Sequence, residues 1–272
     1  MIIKLKIIKT QMTGKTFRSS FFKLFKSKII AMLTEIQYTY LESVDSTNET
    51  VKRENLKTHA NVLYCIYARE QTKGKGRFGK SWFSKKDSSI LVSFAFKNFQ
   101  IPYPHQITQI LAYSVAHFLK NFHIPTEIKW PNDLFINGKK IGGILAEIHN
   151  DTIIVGLGLN LNLTEDDLLK VDQPATSYLI EIGRHLFAPE ATKVIAELFL
   201  KELNHFKDKG FTSYHKEITE MLYGRHKQAY WIVDGLQTQG TIIALNPEGF
   251  LEMKIDGKIQ VIQSGSLQII PD

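Results

Sequence analysis

"KWPNDLFINGKKIGGILAEI", residues 129–148, decides how the chain is read. Asn137-Gly138 sits between two apolar runs, the strongest short-range signal for a tight hairpin. Pro131 has no N–H for a ladder, so the strand before it must break there, leaving Asn132 and Asp133 at a sheet end. Successive strand residues alternate faces, so only one of Lys139 and Lys140 points inward. Gly142-Gly143 in an apolar strand leaves a void for a ligand or a backbone.

Working outward, "TEIKW" before this stretch reads as a strand, and Asn150-Asp151 turns the chain into another, "TIIVGLGLNLN". Upstream, Ile107, Ile110, Leu111, Ser114, Val115, Phe118 and Leu119 fall at helical spacing. "EIQYTYLE", "NVLYCIYARE" and "SSILVSFAF" read as strands. Ser46 with Glu49 three residues later predicts a capping box, starting a helix that ends near Lys57. Residues 164–188 form a loop-rich bridge ending in a short helix, and 189–222 a long helix and a shorter one. After Gly224, short strands alternate with glycine turns, the pattern of a small all-β barrel. The fold class is therefore α+β: a mixed sheet flanked by helices over 34–223, then a barrel over 224–272.

A second stretch, "EQTKGKGRFGKSW" (70–82), contains Gly74-Lys75-Gly76-Arg77-Phe78-Gly79, a G-x-G-x-x-G string. A dinucleotide fingerprint needs a helix next, but a strand follows here. A protein kinase would need H-R-D and D-F-G, and neither occurs. What remains is physical. Glycines let backbone N–H groups approach a ligand, and Lys73, Lys75, Arg77 and Lys80 favour an anion.

The net charge of +7 suggests nucleic acid until its distribution is examined. Residues 1–34 hold eight Lys or Arg and no acid; removing these from the 34 leaves 26 basic against 27 acidic residues. The basicity belongs to a tail, not to a domain face, so no DNA partner is expected. Lysines interrupt the tail too often for a membrane span, and it lacks a secretory cleavage pattern. We read 1–33 as a basic extension, disordered or upstream of a functional start at Met32. "SSFFKLFKSKII" within it could still bind a surface. The single cysteine, Cys65, lies in an apolar run and reads as a buried structural thiol in a reducing, cytoplasmic protein.

"DSTN", "EQTKGKGRFGKSW", "KWPNDLFINGKKIGGILAE", "GLGLNLN" and "PATSYL" occur in one order across roughly residues 36–270. In this the chain resembles the biotin–protein ligases, in the form without an N-terminal DNA-binding domain. The resemblance implies a class II synthetase-like catalytic fold followed by an SH3-like barrel. It implies an AMP-forming activity: biotin and ATP give biotinoyl-5′-AMP, and a lysine of a biotin carboxyl carrier domain of a carboxylase takes the biotin. It also implies Mg²⁺ with ATP, no repressor function, no membrane partner, and a monomer or homodimer.

By position, the resemblance gives Ser46, Thr47, Asn48 and Gln71 to the biotin head, and Lys75, Gly76 and Arg77 to a loop closing over biotin and phosphate. The family usually has Arg where this chain has Lys75, which keeps the charge but not a two-pronged contact. Lys140 would bridge carboxylate and α-phosphate. Lys129, Trp130, Asn132 and Asn160 would serve the nucleotide, with Trp130 equally readable as core. Asp133 would orient the acceptor lysine or help hold Mg²⁺. Lipoate–protein ligases share the implied fold and chemistry, but their "RRxSGGG" loop is absent.

Overall fold

Seven strands form the larger sheet: β1 (Glu35–Leu41), β2 (Val62–Ala68), β3 (Ser89–Lys97), β4 (Glu127–Lys129), β5 (Asp133–Ile136), β6 (Lys139–His149) and β7 (Thr152–Asn160). Their order is β1-β2-β3-β7-β6-β5-β4. β1 and β2 are parallel and every other neighbouring pair is antiparallel, so the sheet is mixed. This computed structural model describes residues 32–271. The expected extension, with its amphipathic piece, lies outside these except for its last two residues. Leu33, inside the expected extension, is part of the fold: it is buried, and its N–H and carbonyl both bond the Asn204 amide, at 2.8 and 2.7 Å.

The apolar run of β2 is buried on both faces, which is why it does not alternate. Leu63, Cys65 and Tyr67 join the main core, whereas Val62, Tyr64 and Ile66 pack with Val51 on the other side. Helices α2 (His105–Lys120) and α5 (Ala188–Lys209) pack on each other over the main core. There Phe199 meets Phe94 and Phe96 at ring separations of 5.1 and 6.4 Å. The opposite face carries α1 (Thr47–Arg53). That helix ends four residues before the expected Lys57. Its expected capping box is absent: Ser46 makes no side-chain cap bond. Asp45 Oδ1 instead accepts the Ser46 N–H at 2.8 Å, Gln71 Oε1 accepts the Thr47 N–H at 2.7 Å, and Glu49 is drawn to two lysines.

The hairpin expected at Asn137-Gly138 joins β5 to β6, and both turn residues have positive φ, 49° and 77°. Asn150 turns β6 into β7 in the same way, at φ 54°. The bridge after β7 holds α3 (Glu165–Leu168) and α4 (Tyr178–Ile182), and α6 (His215–Glu220) follows α5. Five strands follow: β8 (Gln228–Val233), β9 (Leu236–Leu245), β10 (Leu251–Ile255), β11 (Lys258–Ile262) and β12 (Ser266–Ile269). They form an antiparallel sheet in the order β11-β10-β9-β8-β12, consistent with a small SH3-like barrel. From Met32 onward the two sheets make one compact unit. Gln106 and Gln109 of α2 bind the β9–β10 turn, donating to Glu248 O at 3.0 Å and Gly249 O at 2.8 Å.

Candidate active site

A cavity of about 530 Å³ opens on the α1 face of the larger sheet. Its floor exists because three strand positions on that face are glycine. A Cβ on Gly156 would stand 2.5 Å from Asn48 Oδ1, and one on Gly158 would stand 2.4 Å from Trp82 Cε2. Gly143 pairs with Gly158 across β6 and β7, and its Cβ would meet Trp82, Asp133 and Lys140, each at 3.2 Å. The void read at Gly142-Gly143 is thus filled by the chain itself. Gly142 faces Leu134 and Leu159, and Gly143 helps seat the Trp82 indole.

One part of the wall is uncharged or acidic. Ser46, Thr47 and Asn48 enter it from the start of α1, and Gln71 from the strand exit opposite. Gln71 Oε1 accepts from both the Thr47 N–H and its hydroxyl, at 2.7 and 3.1 Å. Ser93 Oγ lies 2.7 Å from Thr47 Oγ1 and also donates to Asn48 Oδ1. The Asn48 amide donates to Glu147 Oε2 at 2.9 Å. Glu147 binds Lys52 at 2.6 Å, Lys52 binds Glu49 at 3.1 Å, and Glu49 binds Lys75 at 3.0 Å. These two lysines hold the Glu49 carboxyl below its ordinary range, Lys75 having the larger effect. Burial opposes the Lys52 ammonium, but hydrogen bonds to Glu147 and Glu49 prevail and raise its pKa.

The other part is basic. Lys140 Nζ lies 2.9 Å from Asp133 Oδ1, with only 14% of the lysine side chain exposed, and 5.6 Å from the Trp82 ring centre. Lys139 is exposed, as the alternation required. Residues 174–176, within "PATSYL", hold Lys140 in place. Its N–H donates to Pro174 O and its carbonyl accepts from Thr176 N, both at 2.9 Å. Lys80 and Lys170 complete the cationic wall. Asn48 stands over Gly156 and Trp82 over Gly158, two residues along β7, so the two parts are separated by about 7 Å.

The glycine loop folds into a tongue over this cavity. Trp82 N bonds Gly74 O at 2.9 Å and Gly76 N bonds Lys80 O at 2.7 Å. At its tip Phe78 is left-handed (φ 55°) and 76% exposed. Arg77 turns inward. It donates to Asn132 Oδ1 at 3.2 Å and to Gly265 O, in the turn between β11 and β12, at 3.3 Å. Burial lowers its pKa, and Asp133 works against that shift. The Gly265 turn is tightly fixed. Trp231 Nε1 donates to Ser264 O at 2.8 Å, and at Gly265 (φ 115°) a Cβ would lie 2.6 Å from Ile232 O.

Three expected site residues stand outside the cavity wall. Trp130 is 3% exposed within the main core, because the end of β4 faces α2. Asn160 is buried and donates to Thr176 O at 3.0 Å. Lys129 lies over the Phe135 ring at 5.0 Å, opposite Asp133 across β4 and β5, and burial lowers its pKa. Asn132 and Asp133 do line the cavity, at the strand break.

The sequence model of the Biotin/lipoate A/B protein ligase family matches residues 40–160. A solved structure described as biotin protein ligase from Aquifex aeolicus in complex with biotin and ATP superposes with a TM-score of 0.77. It is 26% identical, and the match covers 87% of this chain and 99% of that one. Over residues 40–160 the chain is similar to the Biotin/lipoate A/B protein ligases, and it shares the fold of that solved ligase.

Among curated proteins similar to the chain, the Mycobacterium tuberculosis biotin–[acetyl-CoA-carboxylase] ligase is 32% identical over 144 residues, covering 51% of this chain and 52% of that one. The bifunctional ligase/repressor BirA of Bacillus spizizenii is 29% identical over 201 residues, covering 70% and 62%. The chain thus spans less than two thirds of these relatives' length. Sequence reasoning missed three wall residues, Trp82, Glu49 as a charge partner and Glu147, and the buried Ser93 behind Asn48. Glycines at every second position of "GLGL" signal a bare floor on one face of β7, and hence a side chain lying on it. Ser93 and Glu147 leave no such trace, because only the folded sheet brings them beside Asn48.

Proposed function

We propose that this protein is an ATP-dependent biotin–protein ligase. The observation that carries the reading is the division of one cavity into an uncharged and acidic part and a cationic part. Biotin has matching ends. Its ureido ring donates and accepts hydrogen bonds, which suits Ser46, Thr47, Asn48 and Gln71. Its carboxylate, and the phosphates of ATP, suit Arg77, Lys80 and Lys140. A lipoyl dithiolane carries no N–H or C=O to exchange with the groups that suit the ureido ring.

A biotin carboxylate oxygen attacks the α-phosphorus, the bond to the β-phosphate oxygen breaks, and pyrophosphate leaves. The amine of a carrier-domain lysine then attacks the acyl carbon, and AMP leaves. No enzyme nucleophile is needed; positioning and charge stabilisation supply the rate. Lys140 neutralises the two anions as they meet, and Arg77 closes the loop over the phosphate. Asp133 holds Lys140 and faces the place where an acceptor lysine would enter. Mg²⁺ arriving on ATP would meet Asp133 as its protein carboxylate, in keeping with an ion that retains waters and phosphate oxygens. Among the described residues no cluster of three His, Cys, Asp or Glu offers a dedicated metal cage. We assign the chemistry to residues 34–223 and read 224–272 as an appended barrel that completes the wall through Ser266. Asn160 and Lys129 serve as supports from behind the wall. The acceptor is a carrier domain of a carboxylase. No helix among the described residues is long and apolar enough to cross a membrane.

Biotin-dependent ATP–pyrophosphate exchange, followed by biotin transfer to a purified carrier domain, tests the reading, with lipoate as the alternative acid. Exchange supported by lipoate and not by biotin would overturn it.

A further inference from the structure

The glycine loop is anchored at two points in the ligand-free chain. Arg77 is held by Asn132 and Gly265; Lys75 is held by Glu49. Glu49 lies in the first turn of α1, directly after Ser46, Thr47 and Asn48, and its Oε1 accepts from Lys75 at 3.0 Å and from Lys52 at 3.1 Å. A lysine between glycines in a basic loop has no local reason to face a helix. Loop-to-loop repulsion among Lys73, Lys75, Arg77 and Lys80 drives such a tongue outward unless a fixed carboxylate holds it. The Glu49 side chain is 28% exposed and braced by Lys52, which Glu147 holds in turn, so it is a fixed point.

We propose that Glu49 is a positioning residue for the glycine loop: it captures Lys75 and so sets how readily the tongue leaves the cavity mouth. This rests on the reading of the cavity as a biotin and ATP site. A ligand anion and Glu49 compete for the same ammonium. Glu49 therefore keeps the tongue near the mouth before ligand arrives, and it gives the tongue a seat independent of Arg77. A lysine suits this exchange, because its single mobile ammonium can swing between partners as a planar two-pronged group cannot.

The test is a hydrogen–deuterium exchange cycle on the intact chain without ligand, comparing the parent with Glu49→Gln, Lys75→Met, the double variant, and Lys52→Met. Exposed ion pairs have modest strength, so Glu49→Gln should speed exchange of the 74–81 amides about two- to five-fold, with the β2 and β3 amides unchanged. Glu49→Gln should add nothing in the Lys75→Met background, because the two residues act as one contact. Without Glu49 competing for the Lys75 ammonium, biotin dissociation should slow by a similar factor and KM should fall, an effect absent in the Lys75→Met background, and Glu49→Asp should reverse part of it. Additive effects of the two substitutions, or full reproduction of the Glu49→Gln effect by Lys52→Met, would overturn the proposal. If the parent binds no biotin, the functional reading falls, while the ligand-free cycle still decides for or against the anchor.

Discussion

Gly158→Ala should close part of the cavity by moving one side chain. The added Cβ would stand 2.4, 2.7 and 2.8 Å from Trp82 Cε2, Cζ2 and Nε1. Ordinary contact between carbons needs about 3.5 Å, so the indole must shift by about 1 Å. On the β6 side a Cβ at Gly143 would stand only 3.2 Å from the ring, so the sheet limits movement there. It moves into the cavity, toward Lys140. Overpacking of this kind costs about 1–3 kcal/mol. If that cost falls on the bound state, biotin affinity drops by about five- to 150-fold. Calorimetric titration of biotin measures it, with tryptophan emission reporting the shifted indole. Gly142→Ala is the contrast, since its Cβ would press on Leu134 and Leu159 at 3.2 and 3.1 Å; it should lower the melting temperature and spare affinity. Gly158→Ala combined with Trp82→Phe should regain part of the binding. A well-folded Gly158→Ala protein that binds biotin within two-fold of the parent, with unshifted emission, would refute the seating of Trp82 as the cavity floor.

Lys140→Ala should cut pyrophosphate exchange by about two orders of magnitude, since one preorganised charge contact is lost where charge develops; a melting curve like the parent's separates this from misfolding. Arg77→Gly removes the contacts to Asn132 and Gly265 and should let the adenylate escape about ten-fold faster or more. Biotin and ATP should then label a bystander such as albumin, and a variant that makes adenylate but labels nothing would count against the loop as a lid. Burial pushes the Cys65 thiol up to about 12. The native protein should therefore resist Ellman's reagent at pH 8 and release one equivalent when denatured. The unfolded thiol ionises first, so this group lowers stability as pH rises from about 9 toward about 12.

Strand parity and turn chemistry were the legible part of this chain. Asn137-Gly138 needed positive φ at both positions, and alternation allowed only one of Lys139 and Lys140 to point inward, the resemblance choosing Lys140. The strand break at Pro131 correctly marked Asn132 and Asp133 as cavity residues. Local spacing misled where distant groups compete. Ser46 and Glu49 match a capping box, but Asp45 and Gln71 satisfy the helix start and Lys75 takes the glutamate. Trp130 was open to either reading, and its burial in the main core favours the core one. Leu33 lay inside the supposed extension because its partner, Asn204, is 171 residues away. Ser93 and Glu147 were illegible for the same reason.

The Arg77 contact to Gly265 fixes how this protein would fail. A small antiparallel sheet ending near the C-terminus is a natural first place for partial opening. Its Ser264–Ser266 turn carries one of the two grips on Arg77, whereas Lys140, Asp133 and the glycine floor belong wholly to the larger sheet. Mild heat or denaturant that loosens β12 would therefore spare the chemistry and release the grip. Under the proposed activity such a protein would leak before it stops: on the way to inactivation it would pass through a range in which a reactive intermediate is still made and no longer kept.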